Sequence, residues 1–399
     1  MRTRNTGRSH RAARRAALAA VVLASLSLAP TATAADDPPQ GPSGDSFYQP
    51  PAPLPPGVSG DVIWWRELPP ALNARTYLVL YRSRSATGEP IAVTGRVMVP
   101  TAPWSGPGER PIVSVASGTR GVGDDCAPSK FQPDYERPLI DPMLQRGWAV
   151  AITDYEGLGT PGGHTYVVGR SEGRSVLDAA RAAIRLPVAG LSERAPVALS
   201  GYSQGGGGAA WAGELAPDYA PELNVVGIAA GGTPADLPAV SRKLDGGVGF
   251  GFMLMTAYGF DSAYPELDLR SFLNDRGREV YETEQDACVD AVARHAFQHI
   301  SDFTTSDPMD DPRWQARLAE NELGRARPIA PVYLFHGTDD ELIPRDQAEA
   351  LRDRYCSAGQ SVTWRTFPGE HVSTMVAAAP SVTEFLAARF DGEDPESDC

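Results

Sequence analysis

The chain has 399 residues with 36 basic and 50 acidic side chains, which gives a formal net charge of −14 at pH 7. Hydrophobic residues make up 42% of the chain, enough to bury a large core. The acidic excess argues against nucleic acids and anionic membranes as partners, because both would repel it.

The first 34 residues have the features of a secretory signal peptide. Six arginines and no acidic residue precede a largely apolar run of 14 residues (16–29), which is followed by Ala32-Thr33-Ala34. We predict cleavage after Ala34, which changes the net charge to about −20 (30 basic against 50 acidic residues). The run is too short to span a bilayer, and no later segment has 18 consecutive apolar residues. We therefore expect a soluble protein that is secreted from the cell.

The mature chain has the pattern of an α/β protein. Residues 35–58 contain eight prolines and predict an extended, poorly ordered leader, followed by a core over 59–237 and 329–399. Eight short apolar segments have the strand pattern, namely 76–83, 92–99, 112–116, 148–154, 197–202, 225–230, 332–337 and 362–367. The first two are predicted to pair antiparallel, and helical patterns lie between several of the later ones. This alternation predicts a mostly parallel sheet with helices on both faces.

The stretch SGYSQGGGG (200–208) places a serine between a predicted strand and a predicted helix. The pattern Gly201-x-Ser203-x-Gly205 is that of a nucleophile elbow, in which a strained serine has small neighbours so that strand and helix can pass closely. We expect the further glycines to bring the free N–H groups of the helix start near the reacting oxygen and to leave room for an acyl group. The alternative is a glycine-rich turn with an incidental serine.

His371 is the histidine that the predicted sheet order would bring to Ser203. It follows the last predicted strand, and Asp339, Asp340 and Glu341 follow the strand before it. Serine, acid and histidine therefore come in the chain order of the α/β-hydrolases. A serine nucleophile needs such a base to accept its proton, and the base needs an acid to hold its tautomer. The residue pattern alone leaves the choice between Asp339 and Asp340 open.

The other histidines have less specific settings. His10 belongs to the signal peptide, and His164 lies in a glycine-rich loop where we expect it to be solvated. His336 ends a predicted strand, where a packing or hydrogen-bonding role is expected. His295 and His299 form an i, i+4 pair that lacks the glutamate of a metalloprotease helix and any evident third ligand. We therefore predict no metal site.

A long helical region interrupts the alternation of strands and helices. Between about Pro238 and Arg327 no strand pattern is convincing, and a connection of this length predicts an inserted helical cap at 238–328. Five large side chains among its glycines are predicted to form an apolar substrate-binding surface, namely Phe250, Phe252, Met253, Met255 and Tyr258. The alternative is a second subdomain with a purely structural role.

Five motifs are shared with a known family: DDCAPS (124–129), TDYEGLG (153–159), GYSQGG (201–206), DYAPELNVVGIAAGGTPADL (218–237) and DDELIP…EH (339–371). By these the chain resembles the secretory lipases, the lipase-A-like group of α/β-hydrolases from fungi and actinobacteria. The resemblance covers most of the mature chain. It implies an α/β-hydrolase fold with a helical cap between the sixth and seventh core strands, and hydrolysis of lipid esters by a triad of Ser203, Asp340 and His371.

The four cysteines, Cys126, Cys288, Cys356 and Cys399, all lie in the predicted mature chain. An exported protein normally pairs its cysteines, and four of them allow three pairings. The absence of a C-x-x-C pair from the sequence argues against a zinc site. The family resemblance implies the pairing that we favour, Cys126–Cys288 and Cys356–Cys399.

An acyl-transfer site also needs two backbone N–H groups that point at the developing oxyanion. Gln204, directly after the serine, supplies one of them. The resemblance places the second at Arg120, in the loop SGTRGVGDDCAPS (117–129), although some relatives have an acidic residue there. Because this loop lacks the HGGG form, Thr119 and Gly121 stay open as donors.

The sequence as a whole predicts a secreted serine hydrolase that cleaves lipid esters through an acyl-enzyme on Ser203. The alternatives are an esterase for small acylated molecules, a peptidase of the same fold and a non-catalytic lipid-binding protein. Nothing in the sequence calls for a metal or an organic cofactor. Export and strong acidity favour a monomer that does not insert stably into membranes.

Overall fold

The computed structural model describes residues 37–130 and 135–399, so the predicted signal peptide lies outside the described residues. Nine strands are found in the described part: β1 (Val62–Ala71), β2 (Ala74–Arg84), β3 (Pro90–Pro100), β4 (Ile112–Ala116), β5 (Ala149–Thr153), β6 (Val197–Tyr202), β7 (Val225–Gly231), β8 (Val332–Gly337) and β9 (Val362–Phe367). They form one sheet in the order β1-β2-β3-β5-β4-β6-β7-β8-β9. The strands β1, β2, β3 and β5 pair antiparallel in that order, and all the other neighbours are parallel. The predicted, mostly parallel sheet is confirmed.

The first strand, β1, is the one that the sequence pattern does not predict. Pro69 and Pro70 lie just before its last residue, and a proline cannot donate to a sheet ladder. β1 lies at the edge of the sheet, and its pairing with β2 is irregular between Leu68 and Ala71, where the prolines lie. The edge position therefore tolerates residues that argue against a strand elsewhere.

Nine α-helices lie in the described residues: α1 (Arg137–Gln145), α2 (Gly169–Arg185), α3 (Gln204–Tyr219), α4 (Leu237–Leu244), α5 (Phe250–Ala263), α6 (Asp275–Glu284), α7 (Pro312–Glu320), α8 (Arg345–Ser357) and α9 (His371–Phe390). Successive residues of β4, Ile112 and Val113, point into two different cores. The helices α2, α3 and α8 cover the first core, and α1 and α9 cover the second. None of the described helices combines the length and the apolar character that crossing a bilayer requires.

The described part of the proline-rich leader packs against the sheet and is not poorly ordered, contrary to the expectation from its composition. Phe47 and Tyr48 are buried in a short 3-10 helix (Gly44–Tyr48) and pack with Leu78 of β2. The indole Nε1 of Trp64 donates a hydrogen bond to the carbonyl oxygen of Phe47 at 3.0 Å. Buried aromatic side chains therefore anchor this segment in spite of its prolines.

The chain between β7 and β8 is helical, as the sequence predicts. It contains α4 to α7 and no named strand, and all its residues are described. Its side chains take part in two apolar clusters, one around Phe260 and Trp314 and another around Phe250 and Phe303, and both clusters also include residues from outside this segment. The boundaries of a cap at 238 and 328 stay a prediction.

Both favoured disulfides are confirmed. Cys126 is bonded to Cys288 and Cys356 is bonded to Cys399. The first disulfide ties the loop after β4 to the helical segment between β7 and β8. The second ties the C-terminal residue to α8.

Candidate active site

Ser203 lies at a sharp turn between β6 and α3. Its backbone angles, φ 61° and ψ −124°, lie outside the regions that non-glycine residues normally adopt. Its N–H donates to the carbonyl oxygen of Gly231 in β7 at 2.9 Å, and its carbonyl oxygen accepts from the N–H of Gly207 at 3.0 Å. The arrangement is the strained strand-to-helix turn that the nucleophile-elbow pattern predicts.

Three glycines around this serine are required by close backbone contacts. A Cβ atom on Gly201 would lie 2.1 Å from the carbonyl oxygen of Gly205, and one on Gly205 would lie 2.2 Å from that of Ala116. A Cβ atom on Gly206 would lie 2.2 Å from the carbonyl oxygen of Gly231. Glycine is thus required at position 206 because α3 approaches β7 closely. It is not required there to leave room for an acyl group, as the sequence suggests.

His371 and Asp340 form a buried hydrogen bond. His371 begins α9, Asp340 lies in the loop after β8, and Nδ1 of the histidine is 2.7 Å from Oδ2 of the aspartate. Oδ1 of Asp340 accepts two backbone N–H groups at 3.0 and 2.8 Å. The neighbouring Asp339 is exposed, and its carboxylate accepts from the hydroxyl of Thr338. The structure therefore pairs His371 with Asp340 and not with Asp339.

The surroundings of Asp340 favour its ionised form. Burial alone would raise the pKa of its carboxyl, but the hydrogen bond and charge of His371 and the N–H of Ile343 outweigh burial and lower the pKa. His336 is fully buried, and its Nε2 donates to the carbonyl oxygen of Ile343 at 3.0 Å. Burial lowers the pKa of His336, so its ring is neutral. The packing and hydrogen-bonding role expected for His336 is confirmed.

Two residues to which the sequence analysis assigns no such role hold the backbone of His371. Oε2 of Glu341 accepts its N–H at 2.9 Å, and the hydroxyl of Tyr202 donates to its carbonyl oxygen at 2.6 Å. Their positions next to Asp340 and Ser203 in the chain are the sequence signal that could have indicated them.

Ser203 and His371 line one mainly apolar cavity of about 180 Å³. Nε2 of His371, on the opposite side of the ring from Asp340, is buried and has no hydrogen-bond partner in the described part of the chain. Seven residues of the helical segment contribute to the walls: Pro234, Leu237, Val240, Leu244, Phe252, Thr256 and Val289. One nitrogen of the imidazole is thus left without a protein partner among the described residues, which a general base would require.

The five large side chains that the sequence assigns to substrate binding are all described, and one of them, Phe252, lines this cavity. Phe250 is 0% exposed and lies in an apolar cluster of the helical segment. Met255 and Tyr258 line a separate cavity of about 60 Å³, and Met253 lines a groove on another side. Because α5 is largely apolar around its circumference, its composition cannot tell which face meets the cavity.

The loop after β4 reaches the cavity through Thr119 and Arg120. Glu136 holds this loop, since one carboxylate oxygen accepts a loop N–H at 2.8 Å and the other accepts from Nη2 of Arg120 at 2.8 Å. Gly121 pairs instead with the helical segment in an isolated bridge. Thr119 and Arg120 thus lie at the cavity, and which residue donates to a bound substrate stays a prediction.

His164 is buried, so the expectation that it is solvated is wrong. It is 0% exposed, and its Nδ1 donates to the carbonyl oxygen of Glu156 at 2.8 Å. Its Nε2 lies 3.1 Å from the side-chain nitrogen of Gln204, which lines the active-site cavity. The glycines that suggest an exposed loop serve close packing, because a Cβ atom on Gly157 would lie 2.7 Å from the backbone nitrogen of His164.

The pair of His295 and His299 has carboxylate partners from the protein. Nε2 of His295 lies 2.7 Å from Oε2 of Glu284, and Nδ1 of His299 lies 3.1 Å from Oδ2 of Asp245. Within residues 37–130 and 135–399, no group of three or more histidine, cysteine or acidic side chains is arranged to hold a metal ion.

The sheet is mostly parallel and is covered on both faces. Ser203 lies at a strained turn after a central strand, and the histidine–aspartate pair follows later strands. Together these features define an α/β-hydrolase. The sequence profile of the secretory lipases matches residues 126–398, and the chain belongs to that family. The family resemblance stated from the motifs is confirmed.

Relatives and solved structures agree with this assignment. A Mycobacterium tuberculosis protein described as a probable inactive lipase is 33% identical over 380 residues, which cover 88% of this chain and 83% of that protein. A secreted triacylglycerol lipase of Malassezia globosa is 31% identical over 387 residues, which cover 89% and 81%. The X-ray structure of Candida antarctica lipase A in its closed state matches with a TM-score of 0.78 at 26% identity, covering 86% and 84%. The family and these relatives support lipase or esterase activity, and the family name and the disulfides agree with secretion.

Proposed function

We propose that the protein hydrolyses carboxylic esters of lipids through a covalent acyl-enzyme on Ser203. The hydroxyl oxygen attacks the acyl carbon while Nε2 of His371 takes the hydroxyl proton, and Asp340 stabilises the resulting imidazolium. The tetrahedral intermediate expels the alcohol, which receives that proton from His371. Water then attacks the acyl-enzyme with His371 again as the base, and the acid leaves.

The backbone N–H groups of Gln204 and Arg120 are the proposed donors to the oxyanion of the intermediate. Both residues line the cavity with Ser203. Gln204 is the first residue of α3, so its N–H is among the helix-start donors that lack an intrahelical partner. The carbonyl oxygen of Arg120 accepts the N–H of Val289 at 2.7 Å, which restrains the loop at this residue.

The observation that carries the proposal is the cavity that Ser203 shares with His371. The hydroxyl and the unpartnered imidazole nitrogen meet a largely apolar space, in which an acyl chain can be desolvated beside the reacting groups. We propose that the helical segment acts as the cap of this cavity, since seven of its residues line it.

A non-catalytic lipid-binding protein is the second candidate function. The Mycobacterium tuberculosis relative that is described as probably inactive favours it. Against it stands the histidine–aspartate pair, since a protein that only binds lipid has no need of a buried histidine–aspartate hydrogen bond beside a strained serine.

A series of para-nitrophenyl esters of increasing acyl length separates these functions. Wild-type protein is expected to hydrolyse esters with acyl chains longer than about eight carbons, as the apolar cavity suggests. Ser203→Ala is expected to lower kcat by roughly 10⁴- to 10⁶-fold. Activity confined to short chains would favour an esterase for small molecules, and binding of lipid without hydrolysis would favour the non-catalytic function.

We also propose that the chain is exported through a signal peptide at residues 1–34 and acts outside the cell. The mature protein is then expected to begin at Ala35, which N-terminal sequencing of the secreted form would show. A mature chain that begins elsewhere would contradict the proposed cleavage site.

A further inference from the structure

A buried polar network of three side chains lies beside the proposed nucleophile. We call Gln204, Glu172 and His164 the Gln204 network. Nε2 of Gln204 donates to Oε1 of Glu172 at 2.7 Å and lies 3.1 Å from Nε2 of His164. The three residues are at most 2% exposed and come from α3, α2 and the loop after β5. The proposed mechanism uses none of these three side chains.

The hydrogen positions in the network follow from the chemistry of the partners. The carbonyl oxygen of Glu156 can only accept, so Nδ1 of His164 carries a proton. Burial lowers the pKa of His164 to about 4, so the ring is neutral and its Nε2 is an acceptor. The amide of Gln204 therefore donates one hydrogen to His164 and the other to Glu172. A flipped amide would turn its oxygen towards Nε2 of His164, which is an acceptor, so the orientation with the nitrogen on this side is favoured.

Glu172 also holds a second wall of the cavity. The oxygen that accepts from Gln204 accepts the N–H of Val167 at 2.9 Å. Val167 lines the active-site cavity and has φ 53°, which is unusual for a β-branched residue. One buried carboxyl oxygen thus connects the residue after Ser203 to a strained loop of the same cavity.

The family motif TDYEGLG (153–159) supports this network and has no other part in the proposed chemistry. Glu156 supplies the carbonyl oxygen that fixes His164. Gly157 has φ 72°, and a Cβ atom at this position would lie 2.2 Å from the carbonyl oxygen of Gly163, so the close contact requires glycine. The loop that carries His164 can therefore reach α3.

We propose that Glu172 and His164 are positioning residues, which fix the side chain of Gln204 and, through it, the backbone N–H that faces the oxyanion. A donor of this kind is effective only when it is held within roughly 0.5 Å of the productive position. This inference rests on the proposed ester hydrolysis at Ser203.

The position of Glu172 also gives the reaction a pH dependence. Burial raises the pKa of Glu172 to about 8, although its two hydrogen bonds lower it, so the carboxyl is mostly neutral at pH 7. The other titratable groups that face it do not change charge near this pH, because burial raises the pKa of Tyr155 and Tyr166 and lowers that of His164. Ionisation of Glu172 above pH about 8 would place a negative charge near the developing oxyanion, and kcat is expected to fall there.

The test measures kcat and KM with para-nitrophenyl butyrate across this pH range for the full-length mature protein. Glu172→Leu removes the acceptor, and Gln204→Met removes the amide at nearly constant length. Both are expected to lower kcat roughly ten- to hundredfold with KM within about twofold. Glu172→Gln keeps an oxygen that accepts both N–H groups, so it is expected to retain most of kcat and to lose the fall above pH about 8.

Circular dichroism shows whether each variant folds. Wild-type kcat in folded Glu172→Leu and Gln204→Met, or a change confined to KM, would overturn the inference. If Glu172→Leu does not fold, Gln204→Met decides alone, because it leaves the hydrogen bond between Glu172 and Val167 in place. Failure of the proposed function looks different, since the wild-type protein would then hydrolyse no ester and Ser203 would not react with a fluorophosphonate. That result would overturn both the function and the positioning role.

Discussion

Nδ1 of His371 lies 2.7 Å from Oδ2 of Asp340, although 31 residues separate them in the chain. The two residues follow β9 and β8, which are parallel neighbours, so their loops meet at one edge of the sheet. Asp340 is buried there, whereas Asp339 is exposed. Burial and the bond to the histidine, and not position in the chain, distinguish the two carboxylates.

Replacement of these two aspartates by asparagine gives a matched pair of variants. Asp340→Asn is expected to lower kcat by roughly 10⁴-fold, because an amide can stabilise the wrong tautomer of His371. Asp339→Asn is expected to stay within about twofold of wild type, since its side chain is exposed. Steady-state kinetics on folded protein measures both. Equal losses in the two variants would contradict the assignment of Asp340.

The two phenylalanines of α5 are expected to respond differently to truncation. Phe250→Ala is expected to lower the free energy of unfolding by about 3–5 kcal/mol, because Phe250 is fully buried in an apolar cluster. Phe252→Ala enlarges the active-site cavity and is expected to change KM and the preferred acyl length, with a smaller loss of stability. Denaturant unfolding and the ester series measure the two effects. A chain-length profile that shifts with Phe250→Ala and not with Phe252→Ala would count against the cavity as the acyl site.

Adjacent glycines at the start of α3 provide a sharp test of the elbow. A Cβ atom at Gly206 would lie 2.2 Å from the carbonyl oxygen of Gly231, whereas the nearest atom to one at Gly207 is Cγ of Pro234 at 3.3 Å. Gly206→Ala is therefore expected to reduce the yield of folded protein or its Tm markedly. Gly207→Ala is expected to stay within about 1 kcal/mol of wild type, because the higher helix propensity of alanine offsets a mild contact. Equal Tm values for the two variants would show that the backbones of α3 and β7 do not approach closely enough at Gly206 to exclude a Cβ atom.

The two disulfides are expected to differ in their effects. Cys126–Cys288 closes a sequence separation of 162 and Cys356–Cys399 one of 43, so loss of the first is expected to lower the free energy of unfolding by about 1 kcal/mol more on the chain-entropy relation. The first also ties the loop of Arg120 to the helical segment, and its double serine variant is expected to lose activity as well. Loss of activity in the Cys356→Ser/Cys399→Ser variant alone would contradict this.

The sequence predicts the parts of this protein that depend on local backbone rules. The strained turn at Ser203 requires small neighbours, so its pattern is visible in one stretch of letters. Buried parallel strands are short apolar runs, so β4 to β9 are evident, whereas the prolines of β1 conceal an edge strand.

The parts that depend on tertiary contacts are not visible in the sequence. The burial of His164 depends on Gln204 and Glu172, which lie 40 and 8 positions away. The face of α5 that meets the cavity depends on how the helix docks, so Phe252 is not distinguished from Phe250 by composition. In both cases the local pattern is compatible with more than one environment, and packing decides between them.

The proposed role of Ser203 as nucleophile is tested most directly by reaction with a fluorophosphonate, followed by mass spectrometry of the peptides. The account predicts one adduct on wild-type protein, located on Ser203, and none on Ser203→Ala. Native, folded protein that forms no adduct, or an adduct on another residue, would contradict it.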